Sequence, residues 1–345
     1  MITDTLLDFF QDNHSLFKPS DKILLACSGG VDSVVLAAAL KKINDKFPYT
    51  FILGHVNHHL RGSASDLDEK SVRALAKKLG FKVVVAQAPL KGTKTGIEEK
   101  ARLKRYLCLE KMATRFGCMG IMTAHTLNDQ AETVLMNLIR GCGPHGLSGI
   151  PPLRKIGHTD KLLFRPFLNV SKKEILEFSK KNHYSFRLDK SNKNEAFLRN
   201  WLRQSVIPEF ENRNPGFSSR INNLSNLLRD EELYWADKVY EMSKILLKEV
   251  KSGWLLDFKG LLSYSAAEQR RFLRALIGEN ILTFDALENL RQWMARPPSN
   301  ARRWTLRKGW IVERLSKSQG FSSASIFWIG QIHRSQQTKQ TKDKN

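Results

Sequence analysis

Residues 28–33 read Ser-Gly-Gly-Val-Asp-Ser, placed between the apolar runs LLAC (24–27) and VVLAAAL (34–40). Two glycines remove β-carbons where a strand turns into a helix, so the backbone can take positive φ and approach a ligand closely. The amides opening the next helix, with the Ser28 and Ser33 hydroxyls, make a phosphate cradle. Val31 lies inside the same turn. No G-x-x-x-x-G-K-[ST] pattern occurs, so this is not a Walker A loop. Asp32 would repel phosphate unless a cation stood between them, and magnesium takes carboxylate and phosphate oxygens together. The plainer role for Asp32 is to complement the helix dipole from the first turn.

Other polar groups cluster in the same way behind apolar runs. His125, Asp129 and Glu132 occupy one strand-to-helix turn in AHTLNDQAET (124–133). Such carboxylates can hold an amine and take its proton, and D-x-x-E also reads as a capping box. His55, Asn57, His58 and Arg61 follow another apolar run. Alternation along a strand places His55 and Asn57 on one face. No cysteine or carboxylate completes a zinc set beside them, so they read as nucleotide and base contacts or as a polar strand end. Glu98, Arg102 and Tyr106 share one helical face, which reads as a surface ion-pair row. Arg199, Asn200 and Arg203 lie together near a helix start, and Gly141, Gly143 and Gly146 read as a helix end and a mobile loop.

The elements that must position these groups alternate. KILLAC (22–27), TFILGHV (50–56), KVVVAQA (82–88) and GIMTAH (120–125) read as strands, with helical periodicity between them. Continuous apolar strands separated by helices predict an α/β fold with a doubly wound, Rossmann-like parallel sheet. Ligands in such sheets sit beyond the carboxyl ends of the strands, where CSGG, HVNHHLR and AHTLND all fall. LLFRPF (162–167) reads as a last strand, followed by a helix. From about Ser218 the pattern becomes a long amphipathic helix, then a small C-terminal domain. The expected organisation is an α/β domain over 1–217, a helical linker and small C-terminal domain over 218–330, and a polar tail over 331–345.

SGGVDS resembles the pyrophosphate loop of the PP-loop ATPases, which cleave ATP between the α- and β-phosphates and adenylate a substrate oxygen. HVNHHLRGSASDLD (55–68), EEKARLKRY (98–106), AHTLNDQAET (124–133), RGCGPHGLSGI (140–150) and DKSNKNEAFLRNWLRQSVIPEFENRNP (189–215) together resemble the tRNA(Ile)-lysidine synthetase family. The last block is the most discriminating, because it lies beyond the shared ATPase core. The resemblance implies ligation of free L-lysine to carbon 2 of the wobble cytidine in a CAU-anticodon tRNA(Ile). It also implies an O-adenylate intermediate, with release of AMP and pyrophosphate. It implies ATP and Mg2+ as cofactors, with Ser28, Gly29, Gly30, Val31, Asp32, Ser33, His55 and Asn57 binding ATP and Asp32 holding the metal. Asp129 and Glu132 would handle lysine, His125 and Arg102 would serve the reaction centre, and Arg61, Arg199 and Arg203 would meet the tRNA.

Composition agrees with that reading. The 345 residues carry a formal net charge of +22, which suits a polyanionic partner. The N-terminus lacks a basic leader, and no apolar run approaches the ~18 residues a bilayer requires. Cys27, Cys108, Cys118 and Cys142 form no C-x-x-C and read as thiols of a reducing cytoplasm. RRWTLRKGW (302–310) interleaves arginines with Trp304 and Trp310, either for RNA or as core. Two other functions fit parts of the pattern: a PP-loop tRNA thiolation enzyme, which usually needs paired cysteines, and a non-catalytic RNA-binding protein.

Overall fold

The computed structural model describes residues 2–47, 49–59, 62–89, 97–157, 159–187, 197–278, 281–296, 302–315 and 326–331. Two compact units divide the chain, residues 1–229 and 230–345.

The first unit begins with α1 (Ile2–Asp12) and β1 (Lys22–Ala26), then α2 (Val31–Ile43), β2 (Thr50–Asn57), α3 (Ser63–Leu79), β3 (Lys82–Gln87) and α4 (Ile97–Arg115). Next come β4 (Gly120–Met122), α5 (Leu127–Ile139), α6 (Pro144–Leu147), β5 (Leu153–Lys155), β6 (Leu162–Phe164) and α7 (Lys172–Lys181). Its sheet runs β3-β2-β1-β4-β6-β5, parallel except for β5. The expected doubly wound α/β fold is present. The antiparallel β5–β6 hairpin was not foreseen, because a three-residue strand is too short to show a period.

Side chains alternate across this sheet with a period of two. Ile23, Leu25, Phe51, Leu53, Met122 and Phe164 join α1, α2, α3 and α7 in one core. Leu24, Ile52, Ile121 and Leu163 join Leu109, Met112 and Ala113 of α4 in the other. Both faces are covered, which is why the strands read as unbroken apolar runs. Gly120 has a packing reason: a β-carbon there would stand 2.4 Å from the Leu162 carbonyl oxygen on β6.

Beyond α7, α8 (Leu198–Trp201) passes through a π turn (Leu202–Val206) into α9 (Ile207–Arg213), and α10 (Phe217–Leu246) follows. Pro208, which lacks an amide proton, stands just inside α9. The division between units falls within α10. Its early turns belong to the α/β unit: Ser225 Oγ donates to the Leu147 carbonyl (3.0 Å), and Arg229 Nη2 donates to the carbonyls of Ser148 (2.8 Å) and Ile150 (3.1 Å). Those bonds hold the glycine-containing segment expected to be a mobile loop. It forms α6, and Asn137 Nδ2 donates to the Gly146 carbonyl at 2.8 Å.

The second unit holds β7 (Leu247–Val250), β8 (Gly253–Asp257), α11 (Phe258–Leu261), α12 (Ala266–Ile277), α13 (Phe284–Ala295), β9 (Arg303–Thr305), β10 (Trp310–Arg314) and β11 (Ile326–Gln331). The strands form an antiparallel sheet, β7-β8-β11-β10-β9. Trp304 and Trp310 both pack on its core, Trp304 against Trp293 and Trp310 stacked on Trp254. Residues 332–345, nearly all of the expected polar tail, lie outside the described residues. Among the described residues no helix is long and apolar enough to cross a membrane.

Candidate active site

Helices α2, α5 and α7 begin just beyond β1, β4 and β6, three adjacent strands of the sheet. Strand order reverses between β1 and β4, the place where open α/β sheets leave a crevice. The three helix starts are tied together. Leu127 N donates to the Val170 carbonyl (3.0 Å), Lys172 N to Asn128 Oδ1 (2.9 Å), and Lys172 Nζ to Asp32 Oδ1 (2.6 Å).

The loop from β1 to α2 is shaped by its own serines. Gly29 has φ +89°, a conformation that excludes ordinary side chains. Ser33 Oγ donates to the Gly30 carbonyl (2.9 Å) and accepts from Ser28 N (3.2 Å), while Ser28 Oγ accepts from Gly30 N (3.3 Å). Val31 is buried beneath this cradle. His55 is buried and donates from Nδ1 to the Cys27 carbonyl at 2.8 Å, which fixes its tautomer. Burial lowers its pKa, so the ring is a neutral support of the loop. Asn57, also buried, donates to Asp66 (3.1 Å) and Glu69 (3.3 Å). Arg61 lies outside the described residues.

Asp32 stands in the first turn of α2, its side chain 31% exposed. Burial raises its pKa, and Lys172 acts in the opposite direction. The carboxylate of Asp129 is near enough to raise it further.

The capping reading of the β4–α5 turn is partly right, three residues earlier than D-x-x-E suggested. Thr126 is the N-cap, and Asp129 Oδ2 accepts from Thr126 N and Thr126 Oγ1, each at 2.9 Å. The other oxygen, Oδ1, meets Arg203 Nη2 at 3.3 Å. A cap and an ion pair thus share one carboxylate. Burial works against the Asp129 charge, yet the hydrogen bond from the Thr126 amide and the charges of Arg203 and Arg199 keep the carboxyl below its usual range. His125 Nδ1 is hydrogen-bonded to Thr123 Oγ1 at 2.9 Å. Desolvation pulls the imidazole down to about 4, with Arg165, Arg199 and Arg105 adding to the effect against Asp129.

Glu132 is fully buried. Arg203 grips it as a fork, Nε to Oε1 at 2.5 Å and Nη2 to Oε2 at 2.8 Å, and Arg199 Nε reaches Oε2 at 2.9 Å. This sets the 198–206 segment against α5, with Arg199 in α8 and Arg203 inside the π turn that follows. Burial disfavours the Arg203 charge, but Glu132 and Asp129 hold it above the ordinary guanidinium range. The two arginine side chains stay 31% and 39% exposed.

Arg102 is differently placed. Its side chain is 50% exposed and forks onto Glu99, Nε and Nη2 each at 2.9 Å, one turn away on α4 and not the Glu98 of the expected row. The guanidiniums that weigh on His125 are Arg165, Arg199 and Arg105. Arg165 was missed in the sequence: buried just past β6, it donates from Nη1 to the Pro151 carbonyl at 2.5 Å and bonds to Tyr106. Its Nε has no partner. An arginine directly after a strand's carboxyl end was the available signal. Lys172 was missed too, hidden in a capping box, S-K-K-E, whose lysines read as surface. Among the described residues no three His, Cys, Asp or Glu side chains converge as a metal cluster, and the four cysteines are free.

A glycine–serine cradle at the switch point of a parallel sheet, with an aspartate in the first helical turn, defines a nucleotide-binding α/β domain of the pyrophosphate-loop class. The family described as the PP-loop domain matches residues 2–210, and the chain belongs to that family. Curated relatives named tRNA(Ile)-lysidine synthase include that of Geobacter sulfurreducens, 36% identical over 227 residues, covering 65% of this chain and 47% of the relative. That of Enterococcus faecalis is 31% identical over 277 residues, covering 80% and 59%. The chain thus spans about half the length of the curated relatives it matches. Among solved structures, a U34-tRNA thiolase from Methanococcus maripaludis has the same fold, with TM-score 0.52 and 19% identity over 62% of this chain and 74% of its own.

Proposed function

We propose that the α/β unit binds ATP at residues 28–33 and ligates lysine to carbon 2 of the wobble cytidine in a CAU-anticodon tRNA(Ile). The observation that carries this reading is the clamp of Glu132 by Arg199 and Arg203. It joins the turn after β4 to the block beyond the ATPase core, the block that separates this resemblance from other PP-loop enzymes. The names of the curated relatives support the same substrate. The net charge of +22 suits a tRNA, and free thiols suit the cytoplasm.

The donor set fits a hard divalent cation. Asp32 offers a partly desolvated carboxylate oxygen already neutralised by a cation, with Asp129 nearby. Magnesium is commonly held by one or two carboxylates plus phosphate oxygens. When bound at Asp32 it would supply charge neutralisation to the phosphates.

The residues divide the remaining work. Gly29, Gly30 and the α2 amides receive the pyrophosphate, with Ser28 and Ser33 holding the loop in shape and His55 and Asn57 bracing it from β2. Arg199 and Arg203 face the negative charge that develops at the adenylated centre. The ε-ammonium of lysine is drawn to Asp129, whose Oδ1 is the loosest-held carboxylate oxygen of the cluster. Glu132 serves chiefly by anchoring the arginines. Neutral His125 can take a proton as the amine attacks and AMP leaves. The second unit, through its basic surface, adds affinity for the tRNA body.

ATP–pyrophosphate exchange tests the first step. Exchange should require the CAU-anticodon tRNA(Ile) and proceed without lysine. Absence of exchange with that tRNA would leave a non-catalytic RNA-binding protein. Thiolation would show instead as 2-thiocytidine in the product.

A further inference from the structure

We propose that Lys172 fills the cation seat at Asp32 until a metal–nucleotide complex arrives, and that its ammonium then passes to the incoming phosphates. This rests on the ATP reading above and names a residue for which that reading has no role.

The pair joins two helix starts across the crevice, Lys172 Nζ to Asp32 Oδ1 at 2.6 Å, with the side chains 41% and 31% exposed. It can open without disturbing a core. A cation in the first turn of a helix opposes the macrodipole, so α7 itself does not favour an ammonium there. The backbone of Lys172 is nevertheless fixed from both sides. Ser171 and Glu174 close a capping box around the turn, and Lys172 N donates to Asn128 Oδ1. The anchored backbone leaves the four-carbon stem as the part that can move.

The other cations of the site cannot make this exchange. Arg203 and Arg199 are locked onto Glu132, and Arg165 is buried. Among the described residues, Lys172 Nζ has Asp32 as its single hydrogen-bond partner. Magnesium binds carboxylate oxygens at about 2.0–2.1 Å, and an ammonium on the same carboxylate would stand as a like charge beside it, so the two compete for Asp32. The displaced ammonium then lies beside the starts of α2 and α7, where backbone amides favour the same anion. Lysine suits such a transfer, being a compact charge on a flexible stem.

The test is equilibrium binding of a fluorescent ATP analogue to the full chain at stepped Mg2+ concentrations. In Lys172→Met the Mg2+ concentration for half-maximal binding should fall several-fold, because the competing ammonium is gone. The Kd at saturating Mg2+ should rise about tenfold, because one charge-assisted contact to phosphate is lost. Binding in EDTA, weak in the parent, should vanish. Lys172→Gln, which keeps length and polarity, should shift both parameters in the same opposed directions. A strut between α2 and α7 would instead lower the melting temperature and leave both parameters unchanged, or weaken both together; either result overturns the proposal. Failure of the parent protein to bind the analogue at any Mg2+ concentration would overturn the ATP reading itself, and this proposal with it.

Discussion

Replacing Glu132 by Gln removes the charge from the most deeply buried acid of the site while keeping its shape. In the parent, one fully buried carboxylate accepts three hydrogen bonds from two guanidiniums. Removing one partner of a buried ion pair costs about 3–5 kcal/mol. Here the arginine side chains keep 31% and 39% exposure, so water solvates part of their charge. Glutamine also retains one acceptor, although its amide protons now oppose a guanidinium. The expected loss is about 2–3 kcal/mol, a large share of the 5–15 kcal/mol typical of a domain. In urea, with a slope of about 2–3 kcal/mol per molar, the midpoint of the α/β unit should fall by about 1 M. Arg203→Met should cost a similar amount, and the double variant less than the sum, with a coupling of about 1–3 kcal/mol. A midpoint within about 0.2 M of the parent, or strict additivity, would refute the clamp as a structural element.

Protonation of His125 should follow its depressed pKa. Its folded value of about 4 lies below the ordinary 6.5, so the unfolded chain takes up the proton first as pH falls. Its contribution to stability is complete above pH 6.5, declines between 6.5 and 4, and His125→Asn should flatten that decline in urea midpoints; an NMR titration midpoint near 6.5 would contradict it. Gly29→Ala forces a β-carbon into φ +89° and should cost about 1–2 kcal/mol in unfolding experiments while weakening nucleotide binding. Asp32→Asn should collapse adenylation, read as pyrophosphate exchange, and change tRNA affinity little; near-parent exchange in saturating Mg2+ would leave only the dipole role. A chain ending at Arg229 should keep the α/β unit folded by circular dichroism and bind tRNA more weakly, with a shallower salt dependence. A chain ending at Ser218 should also lose the bonds from Ser225 and Arg229 to the 147–150 segment and melt earlier.

The sheet was readable because Leu24, Ile52, Ile121 and Leu163 face one core while their neighbours face the other, and burial on both faces writes an unbroken apolar run. The glycine cradle was readable because only glycine adopts the φ of residue 29 at no cost. What lay hidden depends on long-range pairing. Lys172 and Asp32 are 140 residues apart, and nothing local distinguishes this lysine from Lys173 beside it. Arg105 and Arg102 occupy one block, and only the fold separates the charge that reaches His125 from the one that forks onto Glu99. Glu132 looked like a ligand for an amine, and only the packing of the 198–206 segment shows both its oxygens taken.

Lysidine formation, as proposed above, leaves a product of defined mass. The direct measurement is mass spectrometry of the nucleosides of a CAU-anticodon tRNA(Ile) after incubation with the protein, ATP, Mg2+ and isotope-labelled lysine. The wobble cytidine should gain the mass of one labelled lysine less one water, and omitting ATP should abolish the gain. An unmodified cytidine in a tRNA that the protein binds, or a cytidine carrying sulfur in place of oxygen, would contradict it.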